Sequence, residues 1–148
     1  MPVINNKDKY KEYTDQLDIE KPFSFNSWNK IRNQLAEWGI DFGLLYMTDA
    51  SKVYKEGSWK NRNFDRQKSK ELIEAEIEFC NPDLIILLGR QPLYLLNQNK
   101  DYASVVESGR PLLIKGKKCI VSPCFYGQGR TQKNFKGRLE IATNLIKK

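Results

Sequence analysis

The sequence predicts an α/β fold, a three-layer α/β/α sandwich around a mainly parallel sheet. Segments with helical spacing alternate along the chain with short apolar runs, the order expected when helices cover a parallel sheet. The run DLIILLG is apolar throughout, as in a strand covered by helices on both sides. A chain of 148 residues with 40% hydrophobic and 11% aromatic content can also build one domain with its own core.

Residues 1–20 are charged and lack strong periodicity, so they are expected to form an N-terminal arm or helix ahead of a single domain at 21–148. In NSWNKIRNQLAEWG, Asn26 or Ser27 can cap a helix that carries Trp28, Ile31, Leu35 and Trp38 on one side, and Gly39 ends it. IDFGLLYMT then reads as a buried strand. The polar loop 51–65 carries Tyr54, Trp59 and Phe64, and long loops inside compact domains are often functional. Leu72, Ile73, Ile77 and Cys80 are spaced for one apolar helix face, and Pro82 marks the turn into DLIILLG. Gly89 leads into the short helix RQPLYLLNQ, whose first turn tolerates Pro92. PLLIK and KKCIVS flank a Gly116 turn as two strands, and TQKNFKGRLEIATNLIKK closes the chain as a helix with Phe135, Leu139, Ala142 and Ile146 inward.

Composition excludes several function classes. The chain has no histidine, which removes every mechanism that needs imidazole as base, electrophile or metal ligand. Cys80, Cys119 and Cys124 form no C-x-x-C pair, so neither a zinc site, a disulfide framework nor an iron–sulfur cluster is expected, and no cofactor. The longest apolar run, LIILL, is far short of the roughly 20 residues of a membrane span. The first residues show no apolar signal core, and a cytoplasmic protein is expected. The net charge of +7 is uneven: residues 1–20 carry three lysines against five acids, whereas 115–148 carry nine Lys or Arg against Glu140. A basic C-terminal third points to a polyanionic partner, nucleic acid or nucleotide; solubility alone is the competing explanation.

In open α/β sheets ligands bind beyond the carboxyl ends of the strands. Three segments are expected to converge there: the end of GLLYMTD at Asp49, the LLGR turn at Gly89 and Arg90, and the loop Ser122 to Arg130. The LLGR turn offers backbone N–H groups to an anion, while CFYGQGR offers two aromatics, Phe125 and Tyr126, and a phosphate-seeking Arg130.

The order PFSFNSWNKIRNQLAEWGID, LLYMTDASK, NPDLIILLGRQPLYLLN and KCIVSPCFYGQGR resembles the uracil-DNA glycosylase superfamily over roughly residues 21–148. The resemblance implies that fold, with Phe23 stacking on an extruded base and Asp49 where the family carries a base-reading amide. Ser122, Pro123 and Cys124 then stand in place of a His-Pro-Ser tripeptide, and Phe125, Tyr126, Gln128, Arg130 and Lys133 contact nucleic acid. The departures are large. The family's first strand and glycine-rich water-activating loop are missing before PFSF, and Ser122 replaces the histidine.

Asp49 bears on what chemistry survives. An amide can both donate to and accept from uracil, whereas an ionised carboxylate only accepts and would repel uracil O4. It suits an amino-bearing base or a cation; equally, Asp at this point can cap the following turn. Losing one preorganised donor from such a site typically costs on the order of 10²–10³ in rate. Uracil excision is therefore expected to be very weak or absent, leaving a pseudoenzyme that holds a nucleobase, nucleotide or DNA. Small size and Lys/Asn-rich composition suggest phage–host conflict as the setting. Two alternatives stand beside this reading: a divergent glycosylase acting on another base, with Asp49 or Asp65 positioning water, and a protein-interaction module using the 51–65 loop.

Overall fold

The computed structural model describes residues 26–53, 64–96, 99–125 and 135–148. Packing divides the chain into two compact units, Met1–Leu45 and Tyr46–Lys148.

In the first unit, α1 (Asn26–Glu37) forms as its pattern predicts, with Ile31, Leu35 and Trp38 buried. Gly39, at φ 71°, ends it by donating its N–H to Ala36 O at 2.9 Å, while Ile40 N–H donates to Leu35 O at 3.0 Å. This paired closure needs a left-handed residue, which glycine adopts at little cost. The buried strand expected over IDFGLLYMT does not form. Asp41 instead caps a 3₁₀ turn at Phe42–Leu44 by accepting Gly43 N–H at 2.9 Å. That local bond competes with a sheet ladder, and Leu44 is left 88% exposed.

The second unit holds the sheet. Residues 46–53 run without strand pairing and are pinned at their far end, where Ser69 Oγ accepts the N–H groups of Lys52 and Val53, both at 3.1 Å. Asp65 N–H donates to Val53 O at 2.7 Å, so the two ends of the 51–65 segment meet. Residues 54–63, with Tyr54 and Trp59, lie outside the described residues.

Helix α2 (Arg66–Cys80) starts at the cap Asp65, whose carboxylate accepts Lys68 N–H at 3.0 Å, and ends at Asn81 in the left-handed region. Its buried stripe is Ser69, Ile73 and Ile77, each four residues apart. Leu72 and Cys80, expected inward, are exposed, because a small buried hydroxyl rather than a large apolar group occupies the first turn of the stripe.

Strand β1 (Leu84–Leu88) leads through Gly89 into α3 (Arg90–Leu96), and α4 (Tyr102–Ser108) follows between the cap Asp101 and Gly109. β2 (Leu112–Ile114) and β3 (Lys117–Ser122) form a hairpin over Lys115–Gly116, and α5 (Phe135–Ile146) closes the unit. α4 was not predicted: its Val105–Val106 pair weakens a helical reading, and the cap Asp101 carries the signal instead.

Among the described residues the sheet has three strands in the order β1-β3-β2. β1 pairs with β3 in parallel and β2 with β3 antiparallel, so the sheet is mixed and DLIILLG is an edge rather than the centre. The hairpin, closed by a two-residue turn, necessarily supplies the antiparallel pair. Cys119 and Val121 of β3 join Leu87, Ile73, Ile77, Leu93, Leu95, Val106 and Ile114 in one core. No described helix is long and apolar enough to cross a membrane.

Candidate functional site

Two of the three segments expected at the carboxyl edge of the sheet meet there. The parallel register sets Leu88 against Ser122, so both strands end at the same level. Gly89 N–H then donates to Ser122 O at 2.8 Å, joining the LLGR turn to the β3 exit. That N–H is therefore not one of those left over for an anion. Gly89 sits at φ 87°, and a methyl there would lie 3.5 Å from Cys124 Cβ, an ordinary contact; backbone conformation, not space, is what favours glycine.

The exit segment is more buried than its motif implied. Ser122 is fully buried and its hydroxyl donates to Pro123 O at 3.2 Å, and Pro123 and Phe125 are buried as well. Phe125 is thus a core ring rather than an exposed stacking face, and of these four residues only Cys124 is partly exposed. Asp49 is exposed and has no hydrogen bond or ion pair among the described residues, so it is not capping the next turn. Asp65, weighed as a water-positioning group, is instead the cap of α2. Phe23, Tyr126, Gln128, Arg130 and Lys133 lie outside the described residues.

The same edge carries a feature that motif reading missed. Lys115, on the turn before β3, pairs with Glu74 and Glu78 near the end of α2, so α2 runs against β3 and its first turn lies toward the carboxyl edge of the sheet. There Arg66, Tyr94, Asn99, Lys100 and Asp101 line an open groove of about 390 Å³. Arg90 lies over Tyr94, its guanidinium carbon 4.8 Å from the ring centroid, a cation–π geometry. Two cations, Arg66 and Lys100, thus line the groove with Tyr94, and a third, Arg90, stacks on that ring.

The acid in the groove is largely engaged by its own helix. Asp101 accepts Ser104 N–H at 2.9 Å and Ser104 Oγ–H at 3.0 Å, and these bonds, with a smaller contribution from Arg90, hold its carboxyl below the ordinary range. Nearby, burial raises the phenol pKa of Tyr102 against the opposing influence of Arg138. Among the described residues no cluster of three Cys, Asp or Glu is arranged to hold a metal. The sequence signals for the groove were the cation directly after the cap Asp65 and the polar NQNKD run after α3; neither stands out without knowing that the two come together.

No protein-family model matches the chain, and no curated protein matches it.

Proposed function

We propose that the second unit binds nucleic acid or a nucleotide at the carboxyl edge of its sheet, as a catalytically degenerate protein of uracil-DNA-glycosylase type. The observation that carries the binding is the groove lined by Arg66, Tyr94 and Lys100, with Arg90 stacked on Tyr94 just beyond the end of β1. Cationic side chains beside an aromatic ring suit phosphates next to a base. The glycosylase descent rests on the motif order of the sequence. A three-layer arrangement is consistent with side-chain alternation in β3: Cys119 and Val121 join the core formed with α2, α3 and α4, while Lys118 Nζ donates to Leu145 O in α5 at 3.3 Å.

Several features favour binding over base excision. The chain has no histidine, Ser122 is buried in its place, and Asp49 stands exposed without a partner that would fix it as a base-reading or water-positioning group. Mass spectrometry of free bases, after incubation with single- and double-stranded DNA carrying uracil and several modified bases, tests this. No release together with salt-sensitive DNA binding is the expected result. Release of any base would restore an enzyme and identify its substrate, and absence of binding at low salt would remove the nucleic-acid reading.

A further inference from the structure

We propose that the groove between the first turn of α2, helix α3 and residues 99–101 holds a single-stranded stretch of nucleic acid, with Arg66 and Lys100 on its phosphates and the Arg90–Tyr94 pair against a base. The proposal rests on the nucleic-acid reading above and narrows it to a strand form and a set of contact residues. Arg66 and Lys100 make no hydrogen bond or ion pair among the described residues, so both charges are available to phosphate. Arg90, stacked over Tyr94, lends its ring a cationic plane, and such guanidinium–aromatic pairs accept a further π-face of any base. Asn99 brings an amide with both a donor and an acceptor to the same lining. The acid there, Asp101, is bonded through Oδ2 to Ser104 and stays ionised, so it offsets one of the neighbouring cations and leaves the others in excess.

The shape selects the strand form. Small-molecule sites typically bury about 70–90% of their ligand. This groove is open, so a ligand that extends past its lining fits it better than one that must be enclosed. Duplex sequence is read by a helix or ribbon laid in a groove, whereas stacking on an aromatic ring needs an unpaired base. A single strand meets both conditions.

Fluorescence anisotropy with the full chain tests this, using labelled oligo(dT), oligo(U) and a duplex of the same length, titrated between about 50 and 200 mM salt. The single strands are expected to bind more tightly than the duplex, and the stronger of the two identifies DNA or RNA as the source. Tyr94→Leu is expected to weaken single-strand binding by roughly tenfold, while Tyr94→Phe, which keeps the ring, retains it. The double variant Arg66→Gln, Lys100→Gln changes only surface charge, and is expected to reduce the log–log salt slope by about 1.4. Lys147→Gln, away from the groove, serves as the charge control and leaves affinity unchanged. Duplex binding as tight as single-strand binding, or wild-type affinity and salt slope in the double variant, would overturn the groove assignment and leave the broader reading intact. No binding to any of the three probes at low salt would overturn both.

Discussion

The two ends of the sheet treat charge in opposite ways. At the amino end, the second half of α2 carries Glu74, Glu76 and Glu78, and each has a lysine partner. Lys115, on the hairpin turn, reaches Glu78 at 3.0 Å and Glu74 at 3.8 Å, and Lys52 reaches Glu76 at 2.8 Å. At the carboxyl end, Arg66, Arg90 and Lys100 gather with Asp101 as the acid, and that carboxylate is occupied in capping α4. Exposed ion pairs such as Lys115–Glu78 add little to stability and give mainly local order, whereas Lys52–Glu76 is largely buried and holds its charges against each other. The carboxyl end keeps uncompensated positive charge beside an aromatic ring, a state that contributes nothing to folding and that an anionic ligand would relieve. Charge that is balanced locally is read here as structure, and charge left unbalanced as a binding surface.

Five measurements test that contrast. The largest effect is expected inside the sheet near its amino end, where burial pushes the Cys119 thiol up to about 12 from an ordinary 9.0. A thiol pKa raised on folding gives stability that is complete below pH 9 and is lost as pH climbs toward 12, by an amount of order 4 kcal/mol. Lys115, whose pKa is raised by its hydrogen bond to Glu78 and by the charges of Glu78 and Glu74, acts in the same direction above the ordinary lysine value. Melting curves across that alkaline range check the loss. At pH 8 a thiol reagent should label the exposed Cys80 readily and reach Cys119 only on unfolding.

Next in size is Ser69→Ala. It removes the acceptor of two backbone N–H groups at a fully buried position, and a loss of about 1–3 kcal/mol in denaturant unfolding is expected. A value near zero would mean that residues 52–53 are not fastened to α2 in solution. At the carboxyl end, Gly89→Ala forces a Cβ into a positive-φ conformation and is expected to cost about 1–2 kcal/mol, without a clash. The smallest effects compare the two charge environments directly. Lys115→Met should lower the melting temperature slightly, whereas Arg66→Gln should leave it unchanged because no partner is lost. If Arg66→Gln were the more damaging of the two, the contrast between the ends would fail.

Legibility differed along the same axis. Helix α1 was readable in its Ile31, Leu35 and Trp38 stripe and its closing Gly39, which lie close in sequence, while the side chains of Trp28 and Phe135 are outside the described residues; β1, the hairpin strands and α5 were readable as elements, though β1 lies at an edge and not the centre. The segment at 41–49 was not, since its apolar content reads equally as strand or turn until the Asp41 side chain takes Gly43 N–H. Of the expected α2 stripe, Ile73 and Ile77 are buried but Leu72 and Cys80 are exposed, and Ser69 is buried with them: Leu72 is larger and more apolar than Ser69, yet Ser69 has two backbone donors to satisfy. At the site, Gly89, Arg90 and Cys124 lie at the expected edge, while Ser122 and Pro123, expected to hold ligand, and Phe125, expected to contact nucleic acid or pack under its loop, are buried. Burial of a strand exit depends on what packs over it, and local sequence does not state that.

By itself the sequence determined that the chain mixes helices with short apolar strands, that imidazole chemistry is absent, and where the main turns fall. Those follow from composition and from interactions between residues close in sequence, which act in any tertiary setting. Tertiary structure alone decided that the sheet is mixed with β3 at its centre, that Ser69 takes a core position, and that Arg66 and Lys100 line one groove with Tyr94. Each of these depends on residues far apart in the chain meeting under a common register, and that register is set by packing across the whole core rather than by any segment within it.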